Sequence, residues 1–445
     1  MKYLALFILL STSFLNFAQF QKNVTLLDQW ADTSLPKGSE DAVYNDVWGF
    51  YKEGRQYCVM GSSQGTHFFE IVGDELVELD FEPGAYQSPY VVHRDFKIYK
   101  NYLYAVCDEG TSSLQIFDIS HLPDSASKVY DKQTFFQICH NIYIDTLNAK
   151  LYACGANNAG MQVLDISDPI NPVLDYVFHE LPYVHDCYVR NDTAFLNCGF
   201  DGLYVYDFSG DTPAELGILD FYPAQGYNHS GWLSPDGRTY AFIDETKGTK
   251  VKICRWTTDL SAISIVDYCA TRRYQDYVPH NVILLDNLAF VAYYNEGFRV
   301  YDISRGPFRE IGMYDTFPTG TNYKLNGAWG IYVFPEKDQI IVSDRQNGLF
   351  LFSFPIRTFN SPNQKTYVSS TPFITANSIL VPRTHLGDEQ LTFSITTIDG
   401  KVIYEQENYK NYVNIPLNLA AGTYAYVILD EYKDLLEAGK FVIGN

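Results

Sequence analysis

Four histidines recur along this chain at nearly constant spacing. His140-Asn141, His185-Asp186, His229-Ser230 and His280-Asn281 lie 45, 44 and 51 residues apart, and each pair opens a short apolar strand. Neutral imidazole nitrogen and carboxylate oxygen are common ligands of divalent ions, so imidazoles converging on one axis could hold such an ion. Blades would separate the side chains, so two or three of the four are expected on one ion. A purely structural reading stands beside this one, in which a His or Asx at a strand start bonds the backbone of its neighbour in every repeat.

A period in the forties is what a β-propeller blade requires, because four short strands and their turns consume about that much chain. One repeat shows the pattern: His140 to Asp145, Lys150 to Cys154, Met161 to Ser167 and Val173 to Phe178 read as four strands rich in β-branched and aromatic residues. The third-strand ending recurs as Asp118-Ile-Ser120, Asp165-Ile-Ser167, Asp207-Phe-Ser209 and Asp302-Ile-Ser304, where Asp and Ser cap the following turn. First strands open at Asp46-Val-Trp48, His93-Arg94-Asp95, His140, His185, His229, His280 and Asn326-Gly-Ala-Trp329, which predicts seven blades. The last blade stops at its third strand, and Val24 to Trp30 matches the missing fourth. The expected fold is therefore an all-β, seven-bladed β-propeller closed by an N-terminal strand, followed by a small C-terminal β-sandwich.

The start of a first strand points to one mouth of the channel, and the loop after the second strand returns there. This predicts a ligand-binding rim of Asp46, Trp48, Arg94, Asp95, His140, His185, His229, Trp232, His280, Asn281 and Trp329, overlooked by Asp108, Asp244, Glu245, Asn295, Glu296, Asp344 and Arg345. His140, His185, His229 and His280 are the candidate ligands of a divalent metal. Gly61-Ser-Ser63-Gln-Gly65 has the G-x-S-x-G form but falls between two strands, with no helix to make a nucleophile elbow. Folding Cys187 to Cys198 about an Asp192-Thr193 turn sets those two cysteines opposite each other and predicts a cross-strand disulfide. Cys254 and Cys269 form a second candidate pair.

Residues 1–18 read as an export signal, with Lys2, an apolar run from Tyr3 to Leu10, and Ala18 before the cut. No later run is long and uncharged enough to span a bilayer. A net charge of −21 with no basic stripe argues against nucleic acid as a partner. The propeller takes residues 19–356, a polar linker 357–370, and a separate strand-rich domain 371–445, with strands at Leu391 to Thr397, Lys401 to Glu405, Tyr424 to Leu429 and Lys440 to Ile443.

The propeller resembles the choice-of-anchor B family of LVIVD-type repeats. The likeness rests on the third-strand endings together with Asp46-Val-Trp-Gly, Arg94-Asp95, Cys139-His-Asn, His185-Asp, His229-Ser-Gly-Trp232, Pro279-His-Asn, Asn326-Gly-Ala-Trp and Val342-Ser-Asp344. The tail resembles the C-terminal sorting domain of the type IX secretion pathway through Ile398-Asp-Gly-Lys-Val402, Asn414-Ile-Pro-Leu, Ala421-Gly-Thr-Tyr424 and Gly439-Lys-Phe-Val-Ile443. That resemblance implies export across the outer membrane, contact with the type IX machinery, and a secreted or cell-surface location. The propeller likeness brings no activity with it. The reading that follows is a secreted or surface binding module, whose partner is a surface ligand, glycan or protein at the His-lined mouth. The alternative is a metal-dependent hydrolase or lyase on the same rim, with Asp244 or Glu245 as base.

Overall fold

A computed structural model describes residues 21–256, 259–271, 277–306, 308–318 and 325–359. In the tail it describes 373–375, 378–382, 392–397, 401–406, 412–416, 419, 422–429 and 435–443. The expected signal segment and residues 360–370 of the expected linker lie outside the described residues. The chain divides into two compact units, 1–356 and 357–445.

The first unit is a multi-blade β-propeller, whose described residues form seven antiparallel sheets. In the third sheet the strands Asn141–Asp145, Lys150–Cys154, Met161–Asp165 and Val173–Phe178 pair in sequence order. The innermost strands are Tyr44–Lys52, Arg94–Tyr99, Asn141–Asp145, Asp186–Arg190, Asn228–Leu233, Asn281–Leu285 and Ala328–Phe334. Each touches the next, and the last touches the first, which closes the ring.

Closure falls to the N-terminal strand. Thr25–Trp30 pairs with Gly348–Ser353 as the outer strand of the last sheet. Its equivalence to the other outer strands is visible in register, because every outer strand carries one bulged residue opposite its third strand: Leu27, Leu79, Val129, Asp175, Leu216, Val266 and Ile311. A bulge increases local twist, and its recurrence turns each outer edge alike. Gln21–Lys22 adds an unexpected fifth strand to the sixth sheet by pairing with Tyr314 and Met313.

The recurring Asp-x-Ser endings behave as turn caps. Asp118, Asp165, Asp207 and Asp302 each accept the amide of the Ser two residues on, at 2.7–3.0 Å. Both faces of each sheet are apolar, so the core lies between neighbouring blades. Leu114 and Ile116 of one sheet pack with Ile142, Leu151 and Leu164 of the next, all fully buried. Each such side chain contributes roughly 1.5–3 kcal/mol.

The cysteine expectations are corrected here. The hairpin turns at Asn191-Asp192, both with positive φ, so Cys187 faces Leu196 and not Cys198. Positive φ suits Asn and Asp in a two-residue hairpin, whereas β-branched Thr193 does not tolerate it. All eight cysteines are free and buried, Cys254 and Cys269 included. Cys187 instead meets Cys154 of the neighbouring sheet, thiol to thiol.

The second unit holds a four-stranded sheet, in the order Val402–Gln406, Thr392–Thr397, Gly422–Leu429, Leu435–Ile443. A three-stranded sheet joins Phe373–Thr375, Ser378–Pro382 and Tyr412–Pro416. Phe393, Ile395 and Tyr426 are buried in the larger sheet. Among the described residues no helix is long and apolar enough to cross a membrane.

Candidate functional site at the channel mouth

Six of the seven inner strands bring a side chain from within one residue of their first position to one level at the channel mouth. Five of these are histidines and one is tryptophan. His93, His140, His185, His229, His280 and Trp329 stand in a closed ring, with successive centroids 5.0, 4.0, 4.5, 4.5 and 4.1 Å apart and Trp329 returning to His93 at 5.2 Å. His185, His229 and His280 are buried, while His140 and His93 are partly exposed.

The ring nitrogens are ordered. Nδ1 of His140 donates to Asp108 at 2.8 Å, that of His93 to Glu109, and that of His280 to the Trp329 carbonyl at 2.8 Å. Nδ1 of His185 lies 3.0 Å from the Tyr227 hydroxyl and 3.2 Å from that of Tyr183. His229 bonds the backbone of His280. Two buried nitrogens have no hydrogen-bond partner: His185 Nε2 and His229 Nδ1. Burial, reinforced by the neighbouring imidazoles, holds His185, His229 and His280 well below the ordinary histidine range, and hence neutral. One ring nitrogen from each of His140, His185 and His229 lies within 4.8 Å of the other two, as do single ligand atoms of His229, Glu245 and His280.

Trp329 closes the ring, with the Arg345 guanidinium 4.9 Å above its indole. Glu245 faces the mouth and accepts from the buried Tyr294 hydroxyl. Other expected rim residues lie elsewhere. Asp244 is fully buried and accepts from Tyr222, the Gly226 amide and Lys252, the last at 2.7 Å, so it supports a loop and is no base. Arg94 turns away from the channel and donates to the carbonyls of Ser62 and Tyr86.

Asp46, Asp95, Asn281, Trp48 and Trp232 line the channel itself, around a cavity of about 50 Å³ that also takes in Lys97, Asn141, Asp186 and Ser230. Trp48 and Trp232, 6.3 Å apart, lie further along the inner strands. Lys97 donates to both oxygens of Asp95, at 2.9 and 3.1 Å, and sits 4.3 Å over Trp48. Burial and the neighbouring Asp95 push the Asp46 carboxyl well up, and burial pushes Asp186 up to about 8.

The serine motif is inert. Ser62, next to Ser63, lies 2.9 Å from His67 Nε2, and His67 Nδ1 lies 2.8 Å from Glu78. That has the bonding order of a hydrolytic triad, yet Ser62 is wholly buried and out of reach of a substrate. Residue reasoning missed Lys97, Tyr227, Tyr294 and Glu109, and it placed Asp108 over the rim without seeing that it anchors His140. It also left His93 out of the ligand set, although His93 opens its strand as His140 does.

Comparison with known proteins gives little beyond the fold. The LVIVD repeat model matches residues 151–178, the second strand to the end of the fourth in the third sheet. No curated protein matches the chain. The solved structure of U3-55K is similar with a TM-score of 0.52 and 10% identity, covering 75% of this chain and 98% of that one, a likeness of fold alone. What the chain is similar to is thus a β-propeller with an LVIVD repeat in one blade.

Proposed function

We propose that the chain is an exported β-propeller binding module that takes its ligand at the His-lined mouth, with the C-terminal unit serving the type IX machinery and the mature protein secreted or held at the cell surface. One observation carries the reading: two buried, neutral imidazole nitrogens at the axis have no partner within the fold. Buried polar atoms are almost always satisfied, so a pair left open at a channel mouth is capacity for a ligand. Rigid inner strands hold the ring in place, as a binding site requires.

Native mass spectrometry of the full chain, incubated with a small-molecule extract of spent culture medium, tests it. The wild type is expected to retain a mass that His140→Trp, which fills the half-buried edge of the ring, loses. A mass retained equally by both would put the ligand elsewhere. For the tail, a chain ending at Pro355 is expected to stay in the periplasm of its native host. Its arrival in the medium would refute the sorting role.

A further inference from the structure

We propose that the mouth ring is a mononuclear site for a divalent transition-metal ion of the zinc class, coordinated by His140, His185 and His229 and open on its solvent side. The inference rests on the mouth being the ligand site, and it names the ligand. Metal-bound histidines characteristically donate their second nitrogen to a carboxylate, a carbonyl or a hydroxyl, which fixes the tautomer and aims the free lone pair. Here Asp108 holds His140 and the hydroxyls of Tyr227 and Tyr183 hold His185. The same outward anchoring recurs at His93 and His280, which lie on either side of Trp329.

The remaining nitrogens converge. His185 Nε2 and His229 Nδ1 are buried without partners, and one ring nitrogen from each of His140, His185 and His229 lies within 4.8 Å of the other two. Tetrahedral bonds of 2.0–2.1 Å place ligand nitrogens about 3.4 Å apart, so side-chain shifts of about an ångström close the set. The structural alternative explains the His280 bond to Trp329 and the His229 bond to His280. It leaves the two open nitrogens unexplained.

Donor chemistry selects the ion. Three imidazole ligands suit zinc, copper, nickel or cobalt, whereas calcium and magnesium take oxygen. Asp108, Glu109 and Glu245 supply the negative charge that a dication needs nearby. His229 also belongs to the neighbouring set with Glu245 and His280, but its single free nitrogen serves one ion at a time. Three protein ligands leave a position for water or for an exogenous group entering from the mouth.

The test is calorimetric titration of the chelator-stripped full chain with zinc alone, nickel alone and calcium alone. One zinc or nickel ion per chain is expected, with no calcium uptake. His185→Ala should abolish binding, and Asp108→Asn should weaken it about 10- to 100-fold. Should His185→Ala fail to fold, His140→Ala, at the exposed side of the ring, must lose the ion. Failure to bind zinc or nickel, or wild-type affinity in His140→Ala and Asp108→Asn, would overturn the site. A medium-derived mass held at the mouth by chelator-treated protein that binds no ion would remove the metal and leave the binding module. Ion binding with no mouth-dependent mass would do the reverse.

Discussion

The mouth ring and the layer just inside it are built by the same inner strands, and both bury ionisable side chains, but they resolve that burial in opposite ways. In the inner layer, Lys97 answers Asp95 directly and faces Asp46 and Asp186, while Asp95 also accepts the Ile142 amide of the next blade at 2.8 Å. Burial opposes the Lys97 charge, yet Asp95 and Asp46 outweigh it and raise its pKa. At the mouth the answer is only partial, because Asp108 and Glu109 hold His140 and His93 but among the described residues no charged partner reaches His185 or His229. Burial keeps His185, His229 and His280 neutral, and one ring nitrogen each of His185 and His229 is left without a partner. A buried polar cluster that satisfies itself belongs to the fold, and one that does not is available to something else.

The contrast breaks most readily at the charged layer. Lys97→Met leaves Asp95 without its cation and is expected to cost about 3–5 kcal/mol in chemical denaturation, as does Asp244→Ala, which strands Lys252. His185→Phe keeps the ring volume in the metal-free protein and forfeits only the bond to Tyr227 and Tyr183, about 1–3 kcal/mol. If Lys97→Met cost less than His185→Phe, the assignment of layer to fold and mouth to ligand would be inverted.

Several parts of this arrangement were legible in sequence because they are periodic. The His positions, the Asp-x-Ser caps and the missing fourth strand each repeat or complete a repeat. What was not legible turns on single-residue offsets and on loops. A turn centred one residue earlier moved Cys187 from Cys198 to Leu196. Asp95 stands two residues after His93 and Asp186 one after His185, yet both line the same cavity, so the offset from the histidine does not foretell which residue enters it. Asp108, placed over the mouth by its loop after a second strand, could be foreseen there, but the pairing with His140 could not, and Glu109, Tyr227 and Tyr294 come from loops whose residue types do not repeat.

Acid and base sharpen the comparison further. His185, His229 and His280 have lowered values, so below about pH 6.5 the unfolded chain binds more protons and stability falls as pH falls. Asp186, raised to about 8, works the other way: the folded chain keeps its proton and stability falls as pH rises toward 8. The metal-free propeller should show an optimum between these limbs. His185→Phe is expected to reduce the acid slope by about 1.4 kcal/mol per pH unit, and Asp186→Asn to flatten the alkaline one. Urea denaturation from pH 5 to pH 8 reads both, and unchanged slopes in either variant would dissolve the distinction between the two layers.

The finest test lies between two neighbours in sequence. Asp244 and Glu245 are both acidic, yet Asp244 is sealed against Lys252 while Glu245 looks into the mouth. In metal-free protein, Glu245→Gln keeps an oxygen for the Tyr294 hydroxyl and loses only a half-buried charge, so its stability should stay within about 0.5 kcal/mol of wild type. In metal-loaded protein the same change removes an anion beside His229 and His280, and ion affinity should fall. Asp244→Asn must instead weaken the fold with or without metal, because a neutral amide leaves Lys252 without its counter-charge. Thermal melts of both variants, each with chelator and with zinc, give four numbers. If Glu245→Gln melted early in chelator as well, Glu245 would belong with Asp244 to the scaffold and the mouth would hold only its histidines.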